Sequence, residues 1–215
     1  MYVPTYFQLK ERDAVFELIK SNPLGTWVCC GNDGLIANHI PFYLDPHKGP
    51  FGTLMGHVAR TNSVWQELTD TSSIVSFQGP QAYISPRWYS GKQEHGKVVP
   101  TWNYAVAHAH GVARVIDDRT WMRDMLNRLT NANEADQPTP WQVSDAPENY
   151  IEQLMRAIVG IEIPIDRLEG NLKASQNKSF QDQKNIAEGL QQQSRRTDNE
   201  MAALMQSSAL KNTAE

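Results

Sequence analysis

The sequence predicts a mainly β (α+β) domain, a small antiparallel β-barrel with peripheral helices. Three observations predict it. Runs rich in β-branched and aromatic residues, several of them alternating, recur between residues 25 and 173; Gly, Asn, Asp and Pro clusters punctuate them; and only a few short helical patterns intervene.

Residues 1–8 read as extended, because Pro4 fixes its own φ and biases Val3 away from the helical region. A short helix follows, with Val15, Phe16, Leu18 and Ile19 near one face and Asn22-Pro23 as its stop. GTWVCC, LIANHIPFYLD and GTLMGHVA are strands, parted by the turn at residues 31–34 and by DPHKGPF. TNSVWQEL starts a helix that Thr61 or Asn62 caps, with Trp65 and Leu68 expected on its buried side. SSIVSFQGPQAYIS and TWNYAVAHAHGVARV are two further strands. DRTWMRDMLNRLTNANE is an amphipathic helix, with Asp118 or Thr120 as cap and Trp121, Met122, Met125, Leu126 and Leu129 repeating at three and four. A proline-marked loop leads to a short helix near residue 150. IVGIEIPIDRLEGNLKASQ then reads as one long closing strand, in which Ile161, Ile163 and Ile165 alternate with Glu162, Pro164 and Asp166. After Asn177 the chain turns polar. Two stretches there form narrow helical stripes, Ile186 and Leu190 in one and Met201, Leu204 and Met205 in the other. They hold too little apolar surface for a core of their own, so this tail lies on the barrel, on a second subunit, or stays loose.

With 215 residues, 40% of them hydrophobic, the chain supports one sizeable core and an appendage. The formal charge of −4 provides no global field for nucleic acid, so a DNA contact needs a local basic patch; only small clusters such as Arg195-Arg196 are present. No apolar run reaches the roughly 20 residues that span a bilayer, and residues 1–20 lack the basic-then-apolar pattern of a signal peptide. A cytoplasmic protein is the expectation. Cys29 and Cys30 are adjacent on a strand, make neither a zinc pair nor a redox motif, and are read as reduced packing residues.

Chemistry concentrates in residues 76–111. Two strands there are joined by PRWYSGKQEHGKVVP, a loop long enough to be functional or disordered. Trp88, Tyr89, Trp102 and Tyr104 either fill the core or face a planar ligand or partner. A second candidate is Arg60 with Thr61, Asn62 and Ser63 at a strand end and helix start, which reads as an anion site or as an ordinary cap beside a surface Arg. A third is KASQNK, residues 173–178, whose donors suit a phosphate or ribityl chain if they meet Arg60 and otherwise form a polar loop. His108 and His110 share a strand face, but no third ligand stands at metal spacing, so a solvated or interfacial pair is favoured and no metal is assigned. No nucleophile elbow, CxxC, phosphate loop or dinucleotide fingerprint occurs in context, Ser85 lacks a triad, and no catalytic residue is assigned.

MYVPTYF, NHIPFYL, GTLMGHVARTN, FQGPQAYISPRWY, VPTWNYAVAHAHG, AIVGIEI and LKASQN, in that order over residues 1–178, resemble the PaiB-like family of FMN-binding negative transcriptional regulators. The resemblance implies a split antiparallel β-barrel of the flavin-reductase and pyridoxamine-phosphate-oxidase type, a homodimer with FMN at the subunit interface. It makes residues 1–178 the FMN-binding domain and residues 179–215 a helical tail packed on the barrel or the partner subunit. Arg60, Asn62, Lys173, Ser175, Gln176 and Asn177 become phosphate or ribityl contacts, and Ser85, Trp88, Tyr89, Trp102 and Asn103 line the ring site. Ala174 and Lys178 depart from the Leu and Arg expected there, and Lys does not replace Arg in bidentate phosphate recognition. A flavin- or redox-linked regulator is the leading expectation, with an FMN-dependent oxidoreductase as alternative; direct DNA binding is poorly supported by the charge.

Overall fold

The computed structural model describes residues 1–68 and 72–212, so residues 213–215 of the expected tail lie outside the described residues. Helix α1 (Arg12–Ser21) buries Val15, Phe16 and Ile19 and ends before Pro23, as its periodicity predicts. Strands β1 (Leu24–Gly31) and β2 (Gly34–Pro41) form a hairpin in which Trp27 faces Asn38 and Gly31 faces Gly34. Gly34 closes it at φ +122°, where a side chain would be strained.

The remaining elements in order are β3 (Tyr43–Asp45), β4 (Thr53–Ala59), α2 (Val64–Glu67), β5 (Ser72–Ile84), α3 (Gly91–Glu94), β6 (Thr101–Val112), β7 (Arg114–Ile116), α4 (Arg119–Glu134), α5 (Glu148–Met155), β8 (Ile158–Pro164), β9 (Arg167–Lys173), α6 (Phe180–Gln191) and α7 (Arg196–Asn212). A five-stranded sheet has the order β2-β1-β5-β6-β9, and a four-stranded sheet the order β3-β4-β8-β7.

Three stretches read as single strands are each divided between these sheets. LIANHIPFYLD breaks at Phe42 after Pro41, TWNYAVAHAHGVARV at Ala113, and IVGIEIPIDRLEG at Ile165-Asp166 after Pro164. Pro cannot donate to a ladder, so Pro41 and Pro164 sit where strands end. At the third break Ile165 N donates to Gly52 O and Asp166 N to His110 O, which satisfies the backbone as it leaves one sheet. The alternation expected along β8 also fails at Glu162, which is buried with Ile161 and Ile163 and accepts from Lys48 Nζ and from Trp121 Nε1. In α2 the buried residue is Val64, while Trp65 is half-buried and donates Nε1 to Arg60 O at 3.1 Å. Cys29 is buried as expected, but Cys30 is exposed because successive strand residues face opposite ways.

The chain divides into two compact units: unit 1 comprises Met1–Leu18, Gln78–Ala107 and Glu169–Glu215, and unit 2 comprises Ile19–Phe77 and His108–Leu168. In unit 1, Ala82, Ile84, Ala105 and Leu172 from three strands pack with Ile186 and Leu190 of α6 and Met201 and Met205 of α7. Full burial of each such large side chain is worth about 1.5–3 kcal/mol, which is what holds a polar tail in place. In unit 2, Met55 of β4 packs with Met122 and Met125 of α4 and with Ile151 and Met155 of α5. No helix among the described residues is long and apolar enough to cross a membrane.

Candidate functional site

Strand alternation on β6 sorts the expected ring-site residues. Asn103 and Ala105 point inward, and Trp102 points outward. Trp102 is 50% exposed and meets Tyr83 of β5, itself 43% exposed, edge to face at a centroid distance of 6.0 Å. Asn103 is fully buried. Its Nδ2 donates to Ser175 Oγ at 3.0 Å, Ser175 Oγ lies 3.1 Å from its Oδ1, and Nδ2 also reaches Met205 Sδ of α7 at 3.5 Å.

Beyond β9 the chain folds inward before it re-emerges. Ala174 and Ser175 are buried, and Ser175 holds φ at +61°, a conformation that favours glycine and is kept here by its bonds to Asn103. Gln176 turns back on the backbone, accepting from Ala174 N and donating to Leu172 O. Lys173, Asn177 and Lys178 are left facing outward. Lys173 Nζ donates to Thr101 Oγ1 at 2.6 Å, next to Trp102, and Lys178 Nζ stands 5.2 Å over the Tyr89 ring. Among the described residues Lys173 makes no ion pair, and its ammonium is held below its ordinary pKa by burial first and by the charge of Lys178 second.

The loop at residues 85–98 is organised rather than open. Ser85 Oγ accepts from Arg87 N and caps the turn Pro86–Trp88, after which Trp88 lies against Gly189 of α6. Tyr89 is buried in the unit 1 core, and burial followed by the charge of Asp182 raises its hydroxyl pKa. Unit 1 thus brings Trp88, Tyr89, Trp102, Asn103, Lys173, Ser175 and Gln176 onto neighbouring elements, with Ser85 one turn away and Asn177 exposed beside Lys178.

Arg60 and Asn62 belong to unit 2, where each has local partners. Arg60 donates Nε to Arg156 O, Nη1 and Nη2 to the Asp117 carboxylate, and Nη2 also to Ile158 O, and it lies over Trp65. Four of its five N–H donors are therefore used. Asn62 accepts from Val64 N and donates to Asn38 Oδ1. The helix that follows is a single turn, too short to offer an aligned dipole to a phosphate. The His108 and His110 rings stand 6.3 Å apart on one strand face, and Arg167 reaches His110 Nδ1 at 3.0 Å.

Sequence reasoning missed Tyr83, Thr101 and Asp182 and left Lys178 out of the site. Strand alternation of β5 and β6 was the available signal for the outward pair Tyr83 and Trp102. Ser179, three residues before Asp182, carried a helix-start signature, and its Oγ accepts from Asp182 N at 3.2 Å.

The fold is similar to that of the flavocytochrome Anf3 of Azotobacter vinelandii (TM-score 0.54, 12% identity, covering 80% of this chain and 72% of that one). The FAD and heme binding protein of Mycobacterium smegmatis is similar (TM-score 0.53, 16% identity, 85% and 80%). The fold is the split β-barrel of flavin-binding proteins. Residues 1–167 match the family described as "Putative FMN-binding domain", and the chain belongs to it: a PaiB-like, FMN-binding protein. Relatives agree along most of the chain. The protease synthase and sporulation protein PAI 2 of Bacillus subtilis is 30% identical over 208 residues, 96% of this chain and 97% of that one. A protein of Emericella nidulans is 36% identical over 211 residues, 81% and 84%.

The residues present fit FMN. Lys173 is partly desolvated, repelled by a second lysine and, among the described residues, bonded to a neutral hydroxyl, so a phosphate dianion beside it would relieve both penalties. The half-exposed Trp102 and Tyr83 offer π-faces of the kind a planar ring uses.

Proposed function

We propose that this protein is a cytoplasmic, homodimeric, FMN-linked regulator whose cofactor site is built on unit 1. The observation that carries the reading is the pair Lys173 and Lys178, two cations placed around a rigid turn and flanked by Thr101-Trp102 on one side and Tyr89 on the other. In this reading the two lysines and Asn177 hold the phosphate, while Trp102 and Trp88 stand by the ring. Asn103, Ser175 and Gln176 fix the turn that carries the lysines. Ser85 fixes the start of the aromatic loop. Arg60 and Asn62, in unit 2 and committed to local partners, are given no part in holding the phosphate in this reading.

Bound FMN supplies reversible one- and two-electron chemistry. The chain's own part is to orient the flavin and to keep one face of it against aromatic side chains. The exposed Tyr83 and Trp102 support a second copy of the chain as the cover for that site. The formal charges, +1 on unit 1 and −5 on unit 2, favour regulation through a partner protein over direct contact with DNA.

Titration of the purified protein with FMN, followed by flavin fluorescence, tests the site. Emission should be quenched on binding. Lys173→Ala should weaken affinity about 10- to 100-fold, the usual worth of a charge-assisted phosphate contact, and Arg60→Ala by less than about threefold. No quenching, or a larger loss for Arg60→Ala than for Lys173→Ala, rejects this placement. Rapid bleaching of bound flavin by NADH or NADPH would instead indicate an oxidoreductase.

A further inference from the structure

Three consecutive residues of the aromatic loop are gripped by α6 and the turn that leads into it. Trp88 lies so close to Gly189 of α6 that a Cβ there would meet the indole at 2.4 Å. Tyr89 carries Lys178 Nζ over its ring at 5.2 Å. Ser90 donates both its backbone N–H and its Oγ to Asp182 Oδ1, at 2.9 and 2.8 Å. Asp182 is itself fixed in the first turn of α6 through Ser179 Oγ, and Ile186 and Leu190, both fully buried, anchor the same helix in the unit 1 core.

Each contact has a cost that points to placement. Glycine is a poor residue for a helix interior, and Gly189 is the one residue type that leaves room for the indole. Two of Asp182's acceptor interactions go to a loop residue more than 90 positions away, and these bonds hold its carboxyl below the usual range, the Ser90 backbone N–H first among them. By contrast, residues 92–97 of the same loop are exposed. The grip is local to Trp88, Tyr89 and Ser90, and it comes from α6 and from Lys178 just before it, both beyond the family match that ends at residue 167.

We propose that α6 is a strap that sets the position of Trp88 and Tyr89 for the flavin, with Asp182 and Gly189 as positioning residues. This role rests on the FMN reading above. The tail thereby becomes part of the cofactor site without touching the cofactor, and whatever displaces α6 displaces the aromatic wall.

The test uses the full chain and reads the loop with and without cofactor. Trypsin cleavage after Arg87, the bond that abuts Trp88, reports loop release in the apo-protein, and FMN fluorescence quenching reports affinity. Asp182→Ala should raise loop cleavage about tenfold and weaken FMN binding by a similar factor, as expected for losing a charge-assisted pair of bonds. Gly189→Ala should do the same, but should add nothing in a Trp88→Ala background, because the clash needs the indole. Unchanged loop cleavage in Asp182→Ala, with its thermal midpoint retained, overturns the strap. So does an additive Gly189→Ala effect when Trp88 is absent. Increased cleavage with unaltered FMN affinity, in a protein whose Lys173→Ala variant binds FMN weakly, overturns the positioning role and leaves the FMN reading standing. If the wild-type chain binds no FMN, the FMN reading and the link to the cofactor both fail, while the cleavage assay still decides whether α6 holds the loop.

Discussion

Asn103, expected from the sequence to line the ring site, is committed to the core. Its amide is spent on Ser175 and Met205, so removing it strands a buried hydroxyl and frees a backbone held at positive φ. Asn103→Ala should cost about 2 kcal/mol of stability, measured as a lowered urea midpoint with unchanged slope. His57 offers a second residue-scale expectation. Burial lowers its pKa from the ordinary value of 6.5, and its Nδ1 has no hydrogen-bond partner. The unfolded chain therefore takes up the proton first. The stability associated with neutral His57 is complete above pH 6.5 and is lost as the pH falls from there through the lower folded-state value. His57→Leu should flatten the stability profile in that interval, whereas the carboxylates with lowered values, Asp117 and Asp182, act only in stronger acid.

Among elements, the helices were the most legible in the sequence. The stripe of α4 predicted the buried Met122 and Met125, and the structure selects Asp118 over Thr120 as its cap, with Oδ1 accepting from Trp121 N at 2.7 Å. Asp118→Ala should lose about 1 kcal/mol, visible as a lowered thermal midpoint. Strands were legible as runs but not as members of a sheet. At Phe42, Ala113 and Ile165-Asp166 the pattern continues smoothly while the backbone changes partners, because a strand leaving one sheet for another keeps the same extended geometry and hydrophobic demand. The polar stretch 173–178 shows the same limit in the other direction. Its composition suggests a solvated lining, yet Ala174 and Ser175 turn inward, and only the three-dimensional turn separates Lys173 and Lys178 from them.

At the scale of the whole molecule, the order of motifs identified the family and with it the split barrel, while the sorting of site residues needed the two units. A sequence cannot show Asp117, 57 positions away, closing on the guanidinium of Arg60. An exposed aromatic pair on unit 1 gives the oligomer expectation a handle. Light scattering should report a dimer, and Trp102→Glu should shift it towards the monomer while weakening FMN binding; a wild-type monomer at micromolar concentration refutes the assembly.

Cys30 bears on how that measurement must be made. It stands exposed on β1 while its neighbour Cys29 is buried on the opposite face, so the two thiols cannot close a ring within one chain. Air oxidation instead has an intermolecular route, joining two copies through their surface thiols into a covalent species with a dimer's mass. Samples weighed without reductant would then contain two kinds of dimer, only one of which dissociates on dilution. Cys30→Ser leaves the other alone.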